Sequence, residues 1–205
     1  MPPAPKINRA GRKFDQVLEG ARQVFMADGF ESANVDDIAR VAGVSKATLY
    51  SYFPDKALLF SEVARCECDR MAEEAMSEAD LAGPIRDVLT FAANKILTFL
   101  LSDFSQQMFR ICLAERDRFP ELAREFYESG PEMGRKRLEE GLALAVARGE
   151  LRINNMSLAA EQFSDLAKSR LWLRAILGIQ TRFTAEEIAE VVDEAVETFL
   201  ARYGA

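Results

Sequence analysis

Residues 34–60 read Asn34-Val35-Asp36-Asp37-Ile38-Ala39-Arg40-Val41-Ala42-Gly43-Val44-Ser45-Lys46-Ala47-Thr48-Leu49-Tyr50-Ser51-Tyr52-Phe53-Pro54-Asp55-Lys56-Ala57-Leu58-Leu59-Phe60, and their punctuation decides the fold. Asn34 is placed to cap a helix by accepting an orphan backbone N–H, and Asp36 and Asp37 follow where the helix dipole favours negative charge. Ile38, Ala39 and Ala42 recur at helical spacing. Gly43 then supplies the left-handed conformation that ends a helix at low cost, and Val44 turns back to a core. Ser45 opens a second helix, in which Leu49 and Phe53, four apart, face inward together and leave Lys46, Ala47, Tyr50 and Ser51 outside. Pro54 stops it and Asp55 caps the next. Two short helices joined by a glycine turn make a helix-turn-helix, the unit that lays a polar helix face into the major groove of DNA.

Working outward, Phe14, Val17, Leu18, Ala21 and Phe25 form one face of a preceding helix. Ahead of it Lys6, Arg9, Arg12 and Lys13 stand with no acidic residue among the first thirteen, a basic arm able to reach phosphates or an adjacent minor groove. The whole chain carries 26 Lys and Arg against 33 Asp and Glu, a net charge of −7. That acidity is regional: residues 1–60 hold eight basic and seven acidic side chains, and the excess acid lies in residues 61–205. An acidic body suppresses indiscriminate collapse onto DNA and leaves affinity to a few salt-sensitive phosphate contacts.

The string Ile38-Ala39, Ala42-Gly43-Val44-Ser45, Thr48-Leu49-Tyr50, Tyr52-Phe53, Lys56 and Leu59-Phe60 resembles the DNA-binding motif of TetR-type transcriptional regulators. The Ala27-Asp28-Gly29-Phe30 exit from the first helix fits the same pattern. Many relatives carry threonine where this chain has Val35, so a hydroxyl contact to phosphate is absent there. The resemblance implies an all-α protein with an N-terminal three-helix DNA-binding domain, residues 1–60, and a helical ligand-binding and dimerisation domain, residues 61–205. DNA contact is expected from Asn34, Val35, Ser45, Lys46, Ala47, Thr48, Tyr50, Ser51, Tyr52 and Lys56, joined by Arg12 and Lys13 of the arm. Lys46, Tyr50 and Lys56 are assigned to phosphates, Ala47 and Ser51 to base edges. Tyr52 is divided between the groove and the core.

Helical patterning continues downstream. Asp55 to about Ser77 lacks proline and glycine, Gly83-Pro84 interrupts, and Ile85, Val88, Leu89, Ala92, Ile96, Phe99 and Leu100 form the next stripe. Breaks follow at Ser102-Asp103, Phe119-Pro120, Gly130-Pro131 and Gly149; Leu151-Arg152-Ile153 is the one brief extended candidate. Ser157–Ile179 is apolar on more than one side, and Thr184–Tyr203 carries apolar residues at steps of three and four. In TetR-type proteins the last two helices pair with their symmetry mates, so Leu166, Leu173, Ile188, Val192, Ala195, Val196 and Phe199 are expected at a homodimer interface. Such proteins hold a small molecule among the middle helices, for which Phe91, Lys95, Phe99, Met108, Phe109, Cys112, Phe126 and Trp172 would supply an aromatic and sulfur-lined wall. Residues 114–131 also resemble a subset of the family associated with drug-efflux operons, which suits a hydrophobic effector and a repressor released from a palindromic operator.

Other function classes find little support. The chain has no histidine, which removes the commonest general base, and neither a phosphate-cradling glycine loop nor zinc-spaced cysteines appear. No enzyme activity, metal or cofactor is expected. The alternative is a helical interaction protein without sequence-specific DNA binding, against which the polar face from Lys46 to Ser51 argues. Cys66, Cys68 and Cys112 suit plain thiols better than a redox pair. With no run of 18 apolar residues and no charged-then-apolar leader, a cytoplasmic location off the membrane is expected.

Overall fold

The computed structural model describes residues 11–78 and 83–205, without the side chains of 71–72 and 75–78. Lys6 and Arg9 of the basic arm lie outside the described residues, as does the Met71 side chain. Eleven helices are present among the described residues: α1 Arg12–Ser32, α2 Val35–Ala42, α3 Lys46–Tyr52, α4 Lys56–Glu78, α5 Ile85–Leu100, α6 Asp103–Glu115, α7 Pro120–Ser129, α8 Pro131–Ala147, α9 Met156–Ala167, α10 Leu171–Ile176 and α11 Ala185–Tyr203. The fold is all-α. No single described helix is long and apolar enough to cross a membrane.

The chain forms two compact units. One takes the chain up to Cys68 together with Gln107–Ser129, and the other takes Asp69–Gln106 with Gly130–Ala205. The boundary drawn at residue 60 therefore falls inside α4.

In the first unit, α1 and α2 approach until backbone nearly meets backbone. Gly20 sits buried in the middle of α1, and a Cβ there would lie 2.8 Å from both the Cβ and the amide nitrogen of Ala42. A glycine inside a helix weakens it by about 0.5–1 kcal/mol relative to alanine, and this close approach is the reason for one here. Around it pack Phe14, Val17, Ala21, Ile38, Leu49 and Phe53, all buried, with Phe14 stacked on Phe53 at 5.6 Å between ring centroids. The far end of α1 bends at Gly29, whose φ of 77° and ψ of 177° leave the helical region. There Phe25, Phe30 and Phe60 pack as a triad with centroids 5.2–6.0 Å apart. Phe119 adds its edge to Phe30 at 5.6 Å. Gln107 Nε2 donates to the Phe25 and Met26 carbonyls at 3.3 and 2.9 Å, so α6 serves carbonyls that the bend leaves over.

In the second unit α5, α9 and α11 pack on one another, and α8 packs on α9. Their core holds Leu89, Ala93, Leu97, Leu142, Ala145, Phe163, Val191, Val192, Val196 and Phe199, and Phe163 meets Phe199 edge-on at 5.2 Å. Thr184 and Glu187 form the reciprocal capping box that starts α11. At its far end Leu151 makes an isolated antiparallel bridge to Gly204, all that becomes of the extended candidate at 151–153.

Two expectations need correction. Ser157–Ile179 is two helices, broken at Arg170, the one non-glycine residue with positive φ (67°) among the described residues. Neither glycine nor proline marks the break; beside it the Ser169 hydroxyl donates to the Leu166 carbonyl at 2.6 Å. The second concerns the dimer stripe. Val192, Ala195, Val196 and Phe199 are buried within their own chain, because the apolar face of α11 is taken up by α5 and α9. Leu166 and Ile188 are half-buried, and of the seven residues only Leu173 is exposed, at 58%.

Replacing Gly20 with alanine should force α1 and α2 apart. The neighbour is backbone rather than a flexible side-chain end, so we expect a loss of about 1–3 kcal/mol. Calorimetry should show a transition roughly 5 °C lower; an unchanged or higher Tm would mean the two helices do not approach this closely.

Candidate nucleic-acid interface

The reading face is built by three caps. Asn34 Oδ1 accepts from the Asp37 amide at 2.8 Å while its Nδ2 donates to the Asp37 carboxylate, so this side chain is consumed in starting α2. Gly43 takes the left-handed conformation, φ 66° and ψ 32°, and turns the chain. Ser45 Oγ accepts from the Thr48 amide at 3.1 Å and lies 2.9 Å from the Thr48 hydroxyl. Leu49 and Phe53 anchor α3 from below, and Asp55 Oδ1 accepts from the Leu58 amide at 2.8 Å as the cap of α4.

Above this foundation Ser45, Lys46, Ala47, Tyr50 and Ser51 are exposed, with Tyr50 48% accessible. Ser51 donates its hydroxyl to the Thr48 carbonyl at 2.6 Å. Its proton is thereby occupied, and it faces outward as an acceptor, a match for the amino groups of adenine or cytosine. Val35 and Thr48 are half-buried. Tyr52 is half-buried too, edge-on to Phe14 at 5.7 Å, and so belongs in good part to the core. Arg12 and Lys13 are exposed at the start of α1.

Two lysines expected at phosphates occupy very different places. Lys46 Nζ forms an ion pair with Asp36 at 2.6 Å, the two side chains 53% and 68% exposed. The hydrogen bond to Asp36 raises the lysine pKa. An exposed pair of this kind is weak in water and screened by salt, so a phosphate can displace the carboxylate. Lys56 is committed elsewhere. Its ammonium donates to the carbonyls of Phe30, Glu31 and Ala33 at 2.6, 3.1 and 2.9 Å and sits 4.7 Å from the centre of the Phe30 ring. Partial burial draws its pKa down. With all three hydrogens serving the end of α1 and the residue after it, Lys56 is a clamp holding the reading head together rather than a phosphate contact. Lysine near a helix C-terminus is a sequence signal for this role; that α1 ends beside α4 is not.

The eight effector-wall candidates divide between the two units. Met108, Phe109, Cys112 and Phe126 belong to the first, where Phe109 meets Phe126 at 6.3 Å. Phe91, Lys95, Phe99 and Trp172 belong to the second, where the Lys95 ammonium lies 5.3 Å from the Phe91 ring. Met108 and Cys112 are buried; the others are half-buried. Burial pushes the Cys112 thiol up to about 12, so it carries no thiolate at neutral pH. No group of three or more acidic or sulfur ligands among the described residues could hold a metal.

Residues 17–63 match the family model described as bacterial regulatory proteins, tetR family, and residues 87–205 match that of the AefR-like transcriptional repressor C-terminal domain. The chain belongs to the TetR family of transcriptional regulators. The flavonoid-responsive regulator FrrA is 35% identical, with a TM-score of 0.76 over 95% of this chain and 98% of its own. A TetR-family regulator from Mesorhizobium loti MAFF303099 is 26% identical with a TM-score of 0.85, again over 95% and 98%. Among curated proteins, the transcriptional repressor Rv1474c of Mycobacterium tuberculosis is 36% identical over 89 residues, 43% of this chain and 46% of that one. AcnR of Corynebacterium diphtheriae is 38% identical over 74 residues, 36% of this chain and 38% of that one. The chain thus spans less than half the length of these two repressors. These similarities identify a transcriptional regulator, not an enzyme.

The two lysines should separate in a salt titration of DNA binding. Lys46→Ala should flatten the plot of log K against log salt by about one unit, one phosphate contact being worth roughly 0.9. Lys56→Met should leave the slope unchanged while lowering stability by about 1–3 kcal/mol, the cost of orphaned carbonyls. Asp36→Asn should tighten binding to any duplex a few-fold at low salt, within the range of an exposed pair; a weaker complex would show that Asp36 does not compete for Lys46.

Proposed function

We propose that this TetR-family regulator is a homodimeric repressor that holds a palindromic operator through α3 and lets it go when a small, largely hydrophobic effector binds. The observation that carries the DNA reading is α3 itself. It is capped by Ser45, anchored below by Leu49 and Phe53, and it presents Ala47, Tyr50 and Ser51 to solvent beside a lysine in an exchangeable pair. Ala47 suits a thymine methyl and Ser51 an exocyclic amino group, with Lys46, Tyr50, Arg12 and Lys13 on phosphates. So short a list of base contacts makes groove shape part of the specificity.

Two copies are needed because a palindrome presents two half-sites about 34–36 Å apart, related by a two-fold axis. Exposed apolar residues gather at α10 and just after it: Leu173, Leu177 and Ile179 are 58%, 64% and 72% exposed. Surface of that kind is characteristic of an interface, and we assign the dimer contact to it, flanked by the half-buried Leu166 and Ile188. The effector reading draws on the half-buried aromatic side chains Phe91, Phe99 and Trp172 of the second unit, and on similarity to FrrA, described as flavonoid-responsive. A flat aromatic molecule suits such residues. Repression is favoured by the likeness to Rv1474c and AcnR, both named repressors.

A gel shift on DNA from immediately upstream of the protein's own gene should give one discrete complex, and light scattering should give two chains per particle. Leu177→Glu should yield folded monomers whose operator affinity is lower by about 10²–10⁴-fold, the loss expected when two linked half-site contacts become independent. A dimer that survives in Leu173→Glu and Leu177→Glu alike would place the interface elsewhere, and an unshifted promoter would overturn the repressor reading.

A further inference from the structure

α8 treats its two neighbouring arginines in opposite ways. Arg135 is held by Glu132, by Glu139 and by the Ser157 hydroxyl, and Lys136 also reaches Glu132, at 3.6 Å. Arg137 has none of this. Arg137 is half-buried, and its Nη1 is the one enclosed side-chain nitrogen or oxygen without a hydrogen-bond partner among the described residues. A guanidinium N–H taken out of water and left without an acceptor is strongly unfavourable, and native proteins rarely leave one so. The acids on its own helix offer no relief. Glu132 and Glu139 are engaged by Arg135, and Glu140, one turn on, stands exposed.

The backbone beside Arg137 is bare. Gly134 and Gly141 lie one turn before and one turn after it on the same flank of the helix, and a Cβ added to either would meet nothing within 4 Å. Glycine weakens a helix interior. At Gly20 the close approach of Ala42 explains it, whereas Gly134 is exposed and Gly141 half-buried, with open space beside both. An orphaned cationic donor between two glycines is an arrangement that a flat molecule with one anionic end would complete: its ionised oxygens accept from the guanidinium, and its body lies along the bare helix. Arginine suits the task, since its fork matches a carboxylate and stays charged at any physiological pH.

We propose that Arg137 is the anion anchor of the effector site and that the effector is an aromatic or aliphatic carboxylate, bound in its ionised form. This rests on the reading that the protein answers to a small molecule, and it adds the charge of that molecule. Neutral analogues of the same shape lack the pairing and bind weakly. A cationic hydrophobic compound is rejected.

Titration calorimetry with matched probes tests this without DNA, using 2-naphthoate against 2-naphthamide and decanoate against 1-decanol. At pH 7 the full-length protein should bind at least one acid about tenfold or more tightly than its neutral partner, the advantage of a charge-assisted hydrogen bond. Arg137→Met should bring the acid down to the affinity of the neutral compound, and Arg137→Lys should restore part of the difference. Free of ligand, Arg137→Met should melt no lower than the natural protein, because a residue kept for binding is not kept for stability. Acid and neutral probe binding alike, no acid binding at all, a preference for the acid that survives in Arg137→Met, or a large fall in Tm in that variant would each overturn the assignment. Because these titrations contain no operator, a protein that ignores its promoter would count against the repressor reading and leave this result standing.

Discussion

The reading head depends on a steric constraint: α1 and α2 pass so closely at Gly20 and Ala42 that no side-chain atom fits on the glycine. A closer approach places α2 deeper against α1, and α3, joined to α2 only through Gly43 and Val44, takes its orientation from that placement. Leu49 and Phe53 then drop into the space between α1 and α3, and the opposite side of α3 is left for the groove. The polar face is thus a consequence of how tightly the apolar one is packed. Interiors packed at crystal density transmit small displacements rather than absorbing them, so an angular error introduced at Gly20 would be carried to Tyr50 and Ser51.

Positive charge on this head is divided by its surroundings. Lys46 stands in water, where a carboxylate 2.6 Å away is a weak and replaceable partner. Lys56 lies against Phe30 with three carbonyls around its ammonium, and removing it would leave those carbonyls unserved. As letters, both lysines suit a phosphate, Lys56 as part of the motif and Lys46 on the exposed face of its second helix. What separates them is desolvation, which turns one into a charge available to DNA and the other into a structural clamp. Gln107 and Phe119 meet the same stretch of α1 from α6 and from the residue before α7, so the bend at Gly29 is held by side chains from three later segments of the chain.

The apolar stripe of α11 shows the limit of periodicity as an argument. Steps of three and four say that a helix has something to bury; they are silent on whether the partner is the same chain or a second copy. Here α5 and α9 take that face, and three of the exposed apolar residues, Leu173, Leu177 and Ile179, lie together in a short helix and the segment after it. That short helix exists because the chain breaks at Arg170, for which the letters Lys-Ser-Arg carry little warning.

From the letters alone came much that is governed by neighbours in sequence: the caps at Asn34, Ser45 and Asp55, the left-handed turn at Gly43, the stop at Pro54, the break at Gly83-Pro84, the inward set of the head and the all-helical fold. Each of these is a local competition for backbone hydrogen bonds or for one face of a helix, settled within a few residues. The role of Lys56, the need for glycine at position 20, the ownership of the α11 stripe and the isolation of Arg137 depended on residues brought together from tens of positions away. Whether a charge is free, clamped or orphaned is set by the dielectric and the acceptors around it, and only the folded chain supplies those.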